Sequence, residues 1–265
     1  MKNFDLFSLK GKVIVTTGST GGLGVSFVKN LAWAGADLAI LDIAACKEKL
    51  DVLAKEVSDE YGVNAKPYTI DISDEENIVA VRNAILKDFG HIDGLLNMVG
   101  INQHGPASEY SEEDLMRLLS VNVAGTFGCC KHFGATMCEQ GSGSIVNIAS
   151  IAASVILRVP RPMCGYSISK AGVVQMSKAL AAEFGEHNVR VNAVSPGFME
   201  TRMSGTKGAV SADPAMLQRY VLEDTPMHRF CRADELTGAA IYLLSDASSF
   251  TNGIDMVIDG GYLLW

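Results

Sequence analysis

One segment near the N-terminus constrains the fold more than any other. Lys12-Val13-Ile14-Val15-Thr16-Thr17 is apolar and β-branched, and it runs straight into Gly18-Ser19-Thr20-Gly21-Gly22-Leu23-Gly24. Apolar residues then recur at Val25, Phe27, Val28, Leu31 and Ala32. The spacing predicts a short buried strand, a glycine turn and an amphipathic helix. That order is the context a dinucleotide site requires. Glycine lets the backbone approach a pyrophosphate closely, and the helix N-terminus presents free N–H groups with a partial positive charge.

The rest of the chain keeps alternating. Strand-like runs fall at 36–41, 64–70, 93–98, 144–149, 189–194 and 255–258. Helix-like patterns fall at 47–61, 74–89, 111–138, 166–185 and 232–245. Such alternation implies a parallel sheet with helices on both faces. The expectation is one α/β domain over residues 1–265, a doubly wound sheet of about seven strands. Residues 12–150 form its dinucleotide-binding part, and 150–265 its catalytic and substrate part. The stretch 198–226, rich in Gly, Ser and Met, is the least regular. It reads as a mobile lid over substrate or as a variable surface loop.

Three further features point to chemistry. The second strand ends in Asp42, eighteen residues after Gly24. A carboxylate there can accept hydrogen bonds from ribose hydroxyls and would repel a 2′-phosphate, which favours NAD(H) over NADP(H). The run Ser144-Ile145-Val146-Asn147-Ile148-Ala149-Ser150 delivers a hydroxyl to the end of a strand, the edge where α/β sheets bind ligands. Tyr166 and Lys170 stand four residues apart, so a helix would place them on one face. An ammonium fixed beside a phenol is expected to lower its pKa from about 10 towards neutrality, where it can exchange a proton.

With these residues in place, the chain resembles the short-chain dehydrogenase/reductase family over nearly its whole length. Thr17-Gly18-x-x-x-Gly22-x-Gly24 matches the family's cofactor turn, and Asp71 matches its acid near the adenine. Asn97-Met98-Val99-Gly100 stands where the family usually has Asn-Asn-Ala-Gly. Asn122, Ser150, Tyr166 and Lys170 match the catalytic tetrad. Ser195-Pro196-Gly197 with Thr201 matches the segment over the nicotinamide, and Asp259-Gly260-Gly261 the C-terminal signature. The resemblance implies a Rossmann-type fold and a hydride transfer between NAD(H) and a secondary alcohol or ketone. It implies a cofactor site of Gly18, Thr20, Gly22, Leu23, Gly24, Asp42, Ile43, Asp71, Ile72, Asn97, Gly100, Tyr166, Lys170, Pro196, Gly197 and Thr201. Ser150 would hold the reacting oxygen near Tyr166. Lys170 would bind the nicotinamide ribose, and Asn122 would hold a water linking Lys170 to solvent.

The substrate is less legible. The chain is similar to family members acting on sugars, polyols and sugar acids, in its opening Phe4–Lys12 and in Thr225–Phe230. Ser150 and Tyr166 are sixteen residues apart, and the added length falls in Val155–Met163. Arg158 and Arg161 in that loop can hold a carboxylate if they point inward, and otherwise are solvated surface groups. Gln103 and His104 follow the fourth strand and can meet sugar hydroxyls or cap the next segment. Val155, Ile156, Leu157, Val159 and Met163, with Met199 and Met203, leave open an apolar alcohol such as a hydroxysteroid. A catalytically silent NAD-binding regulator is the reading from another class.

Composition sets the remaining bounds. A net charge of −8 argues against general affinity for nucleic acid or anionic membrane. No apolar run approaches a transmembrane helix, and the N-terminus lacks the apolar core of a signal peptide. The six cysteines show no C-x-x-C pair and no zinc spacing, so no metal is expected and a reducing, cytoplasmic setting is. The family resemblance implies a homotetramer or homodimer, and the patterns at 111–138 and 166–185 carry more apolar surface than one stripe needs.

Overall fold

The structure, a computed structural model, describes residues 6–157, 162–200 and 221–264. Seven strands form a single parallel sheet in the order β3-β2-β1-β4-β5-β6-β7. They are β1 (Val13–Thr17), β2 (Asp37–Asp42), β3 (Ala65–Thr69), β4 (Gly94–Asn97), β5 (Gly143–Ile148), β6 (Val189–Pro196) and β7 (Asp255–Ile258). The chain starts at β1, winds outward to β3, returns to β4 beside β1, and winds the other way to β7. The order reverses between β1 and β4, and a doubly wound sheet binds ligands at such a switch point. The expected fold class and seven strands are thus present.

Helices cover both faces. α1 (Gly24–Trp33), α2 (Lys47–Tyr61) and α7 (Thr237–Leu244) pack on one, through Phe27, Leu31, Leu50, Val57 and Leu243. α3 (Glu75–Phe89), α5 (Thr126–Gln140) and α6 (Cys164–Phe184) pack on the other, through Ile78, Ile85, Phe133, Met137 and Leu180. Strand side chains alternate between the two cores. Ile14, Leu38, Ile40 and Val146 enter the first, and Val15, Ala39, Leu41 and Ile145 the second. A strand buried on both sides must be apolar at every position, which is why β1, β2 and β5 read as continuous hydrophobic runs. No helix among the described residues is long and apolar enough to cross a membrane.

The expected helix over 111–138 is broken. α4 (Glu112–Leu119) gives way to a π-turn at Ser120–Gly125 before α5 begins. Ser111 starts α4, its hydroxyl accepting from the Asp114 N–H at 3.0 Å. The π-turn widens the helix where Gly125 lies flat against Ile72, with space for no Cβ (2.8 Å to the nearest Ile72 carbon). It turns Asn122 inward, fully buried. A π-turn is commonly a functional feature, and no spacing rule in the sequence marks it.

The tightest contact is at the start of α1. A Cβ on Gly24 would lie 2.2 Å from the Gly18 carbonyl oxygen and 2.6 Å from backbone atoms of Ser19. Backbone cannot yield as a flexible side chain can. Gly24→Ala is therefore expected to cost about 3 kcal/mol or more, at the upper end of overpacking penalties. Urea unfolding monitors it, and an unchanged midpoint would remove Gly24 from the packing account.

Candidate active site

The ligand edge is assembled from the C-terminal ends of β1, β2, β4, β5 and β6. At β1 the chain turns at Gly18, whose φ of +71° suits glycine and whose Hα side faces Val99 N at 3.3 Å from a would-be Cβ. Ser19 stitches the turn to the sheet. Its hydroxyl donates to Thr16 O (2.8 Å) and accepts from Leu41 N–H (3.1 Å), and its N–H donates to Leu41 O (3.0 Å). The exposed Gly22 and half-buried Leu23 complete the turn. No side chain caps the N-terminus of α1, and its first turn holds no acid. An anion is thus met there by helix N–H groups without a competing carboxylate. These residues fit a dinucleotide pyrophosphate.

The remaining predicted cofactor residues line the same edge in different ways. Asp42 Oδ2 accepts from the Thr20 N–H (2.9 Å) and hydroxyl (2.6 Å). The Asp42 carboxylate thus fastens the turn as well as ending β2. Ile43 beside it is half exposed. Asp71 is exposed and held by Ser73, whose N–H and hydroxyl donate to Oδ1 at 2.9 and 2.6 Å and keep the carboxyl below its ordinary pKa. Ile72 is buried in the α3–α5 core. The Asn97 side chain points into the interior. It accepts from the Thr17 hydroxyl (3.4 Å) and donates to Asn147 Oδ1 (2.8 Å) and Cys130 Sγ (3.4 Å). Through these bonds its side chain ties β1, β4 and β5 together. Gly100 follows β4 on the rim, and Pro196 ends β6. Gly197 packs on Asp259 too closely for a Cβ (2.7 Å). Thr201 lies outside the described residues, as does most of the 198–226 stretch.

Ser150, Tyr166 and Lys170 come together. Ser150 leaves β5 in extended conformation, and its hydroxyl accepts from Ala152 N–H at 3.2 Å. Tyr166 and Lys170 lie on the buried face of α6, with the Lys170 Nζ 5.7 Å from the Tyr166 ring centroid. Lys170 Nζ donates to Ile148 O at 2.8 Å. The expected direction of the tyrosine shift is reversed. Burial pushes the Tyr166 phenol up to about 12, against the opposing pull of a hydrogen bond from Ser150. Burial likewise lowers the Lys170 ammonium to about 8. Desolvation disfavours the charged form of each.

Asn122 is a clamp. Its amide donates to Ile101 O and to Ser169 Oγ, both at 2.9 Å, and its Oδ1 accepts from Ile101 N–H at 2.8 Å. Both amide hydrogens are committed, so a water link from this residue would have to run through a carbonyl oxygen. Ser169 completes the clamp by donating to Tyr166 O at 2.8 Å. Sequence reasoning missed Ser169, and its place just before Lys170 was the available signal.

On the substrate side, the segment after β4 meets the start of α6. Gly105 bridges Met163, with Gly105 N–H donating to Pro162 O at 2.8 Å. The Tyr110 hydroxyl donates to Gln103 O. Gln103 is buried, and its Oε1 has no partner among the described residues. His104 is half-buried, 3.3 Å from Asn102 Nδ2. Arg158 and Arg161, with Val159 and Met203, lie outside the described residues.

The chain is similar to known proteins over nearly its whole length. A family model described as enoyl-(acyl carrier protein) reductase matches residues 18–263. The chain is 38% identical to an NADP-dependent mannitol dehydrogenase of Hypocrea jecorina, over 97% of this chain and 94% of that protein. It is 38% identical to a D-threitol dehydrogenase of Mycolicibacterium smegmatis, over 99% and 96%. Among solved structures, a gluconate 5-dehydrogenase from Burkholderia cenocepacia J2315, in complex with NADP and tartrate, superposes with a TM-score of 0.91 at 30% identity, covering 99% of each chain. With a family model over residues 18–263 and relatives 38% identical over nearly the whole chain, the chain belongs to the short-chain dehydrogenase/reductase family.

Proposed function

We propose that this chain is an NAD(H)-dependent oxidoreductase acting on a secondary alcohol or ketone of a sugar, polyol or sugar acid. The observation that carries the reading is the meeting of Ser150, Tyr166 and Lys170 beside an edge built to receive a dinucleotide. Gly18, Thr20, Leu23 and Gly24 would hold the pyrophosphate region, and Asp42 and Ile43 the adenosine end. Bound nicotinamide supplies or takes the hydride. The protein's part is the proton and its placement. Ser150 hydrogen-bonds the reacting oxygen, and Tyr166 gives or takes the proton there. Lys170, held by Ile148 O, lends positive charge to the tyrosine and binds ribose hydroxyls. Asn122 and Ser169 keep α6 in register with the loop after β4.

A negative carboxylate at the end of β2 supports NAD(H). The mannitol dehydrogenase relative is named as NADP-dependent, so the two cofactors need direct comparison. The relatives' names, mannitol, threitol and gluconate, support a polyhydroxylated substrate. The unpartnered Gln103 Oε1 supports it too, because a buried acceptor left unmade costs about 1–3 kcal/mol and a substrate hydroxyl can satisfy it. All six thiols are free, which fits a reducing cytoplasm. Assembly as a homotetramer or homodimer is supported by Met116, Phe127 and Ile168, roughly half exposed on α4–α6.

Five measurements test the reading. Tyr166→Phe should leave NADH binding nearly intact and remove at least about 99% of turnover, as loss of a general acid does; turnover at the wild-type rate would sink the assignment. The high Tyr166 pKa keeps the phenol protonated at neutral pH. Alcohol oxidation, which needs the phenolate, should therefore climb steadily from pH 8 towards 10, while ketone reduction should not. Oxidation flat across that range would contradict the proton role. A panel at 340 nm pairing each keto-sugar acid with its neutral ketose, plus a steroid ketone, identifies the substrate. Gln103→Leu should cut kcat/KM for a polyhydroxylated substrate about ten-fold and leave the steroid ketone unaffected. An equal effect on both would make Gln103 structural. Sedimentation velocity should find an oligomer that Phe127→Glu dissociates, and a monomeric wild type would overturn the assembly.

A further inference from the structure

The segment after β7 folds back onto the end of β6. Asp259 organises it: Oδ1 accepts from the Gly261 N–H and Oδ2 from the Leu263 N–H, both at 2.8 Å. The resulting turn lays the buried Tyr262 on Phe198. Their rings meet edge to face, with centroids 5.3 Å apart and planes at 71°, a favoured aromatic geometry. Phe198 directly follows Pro196 and Gly197, where β6 ends. Gly197 is pinned by the same segment. Its N–H donates to Ile258 O at 2.9 Å, and a Cβ on it would lie 2.7 Å from the Asp259 Cα. Phe198 O in turn accepts from the Cys231 N–H at 2.9 Å.

This pinned backbone lies beside the proton-handling groups. β6 neighbours β5 in the sheet, Val194 O accepts from the Ala149 N–H at 2.7 Å, and Ser150 is the next residue. A dinucleotide whose pyrophosphate sits at the turn after β1 must carry its reacting ring to Tyr166, across the ends of β4 and β5 towards the end of β6. We propose that Tyr262 is a positioning residue for the nicotinamide: its ring holds Phe198, and Phe198 holds the Pro196–Gly197 backbone against which the reacting ring rests. Tyr262 itself touches neither substrate nor cofactor in this account. The inference rests on the dinucleotide reading and deepens it. A residue of general structural importance would affect both ends of the cofactor alike, whereas one that acts through Phe198 affects the nicotinamide end alone.

Calorimetric titration of the whole protein with NADH and with ADP-ribose, which lacks the nicotinamide, separates the two ends without turnover. If the wild type prefers the phosphorylated cofactor, NADPH and 2′-phospho-ADP-ribose take their places. Tyr262→Leu should weaken NADH about five-fold, the worth of one aromatic pair, and ADP-ribose less than about two-fold. Tyr262→Phe keeps the ring and should stay within about two-fold of the wild type for both ligands. Phe198→Leu should show the same split as Tyr262→Leu. The two together should lose no more than either alone, because both remove one contact. The proposal is overturned if Tyr262→Leu weakens NADH and ADP-ribose equally or leaves NADH unchanged. Additive losses in the double variant, or a loss in Tyr262→Phe as large as in Tyr262→Leu, overturn it too. Should Tyr262→Leu not fold, the NADH and ADP-ribose affinities of Phe198→Leu decide the matter by the same split. A wild type that binds neither pair of ligands would instead refute the dinucleotide reading itself.

Discussion

A chain of buried side-chain hydrogen bonds holds the two halves of the site in register. Thr17, in the cofactor turn, donates to Asn97 on β4, and Asn97 donates to Asn147 on β5 at 2.8 Å. Asn147 donates to Ser177 on α6 at 2.9 Å, and Ser177 to Val173 O at 2.8 Å. Asn97, Asn147 and Ser177 are all buried. A buried polar network is costly when half made and rigid when complete. This one runs from the turn that meets the dinucleotide to the helix that carries Tyr166 and Lys170. Each amide fixes one neighbour only if the next is in place, so the cofactor and the proton donor are positioned by one continuous structure.

Burial has a second effect at the catalytic helix. The same enclosure that fixes Tyr166 and Lys170 withholds water from both, which raises one pKa and lowers the other. The outcome is a neutral phenol next to an ammonium that is readily discharged. A site in this state is poised to give a proton to a carbonyl oxygen as hydride arrives. It takes one from an alcohol less readily, and each positive group brought nearby would shift that balance.

The fold was almost wholly legible in the sequence, and the reason is local. β1, β2 and β5 are buried on both faces, so their apolar runs carry no ambiguity of face, and the strand, turn and helix at residues 12–33 leave little choice of topology. Ser150, Tyr166 and Lys170 were legible from a strand end and an i, i+4 helical spacing, whereas Asn122 came from the family resemblance alone. Three things were not legible. The π-turn that aims Asn122 has no sequence signature, because its register depends on Ile72 packing against Gly125. The inward direction of Asn97 depends on partners in β1, β5 and α5 that are distant in sequence. The direction of the tyrosine shift depends on competing desolvation and attraction, and Tyr-x-x-x-Lys spacing states only the attraction.

The two sides of the site are fastened very differently. The dinucleotide side is built into the continuous ladders of β1, β2 and β4. On the substrate side, outside the sheet, backbone pairing among the described residues is by isolated bridges, Gly105 to Met163 and Met199 to Cys231. Ladder residues share their hydrogen bonds with neighbours on both sides, so a change in one strand is felt across the sheet. A bridge of one residue pair transmits little. Changes at such bridges disturb the ladders of the dinucleotide side less than changes within a strand, and lineages built on this plan can change the molecule they act on while keeping the reaction they perform.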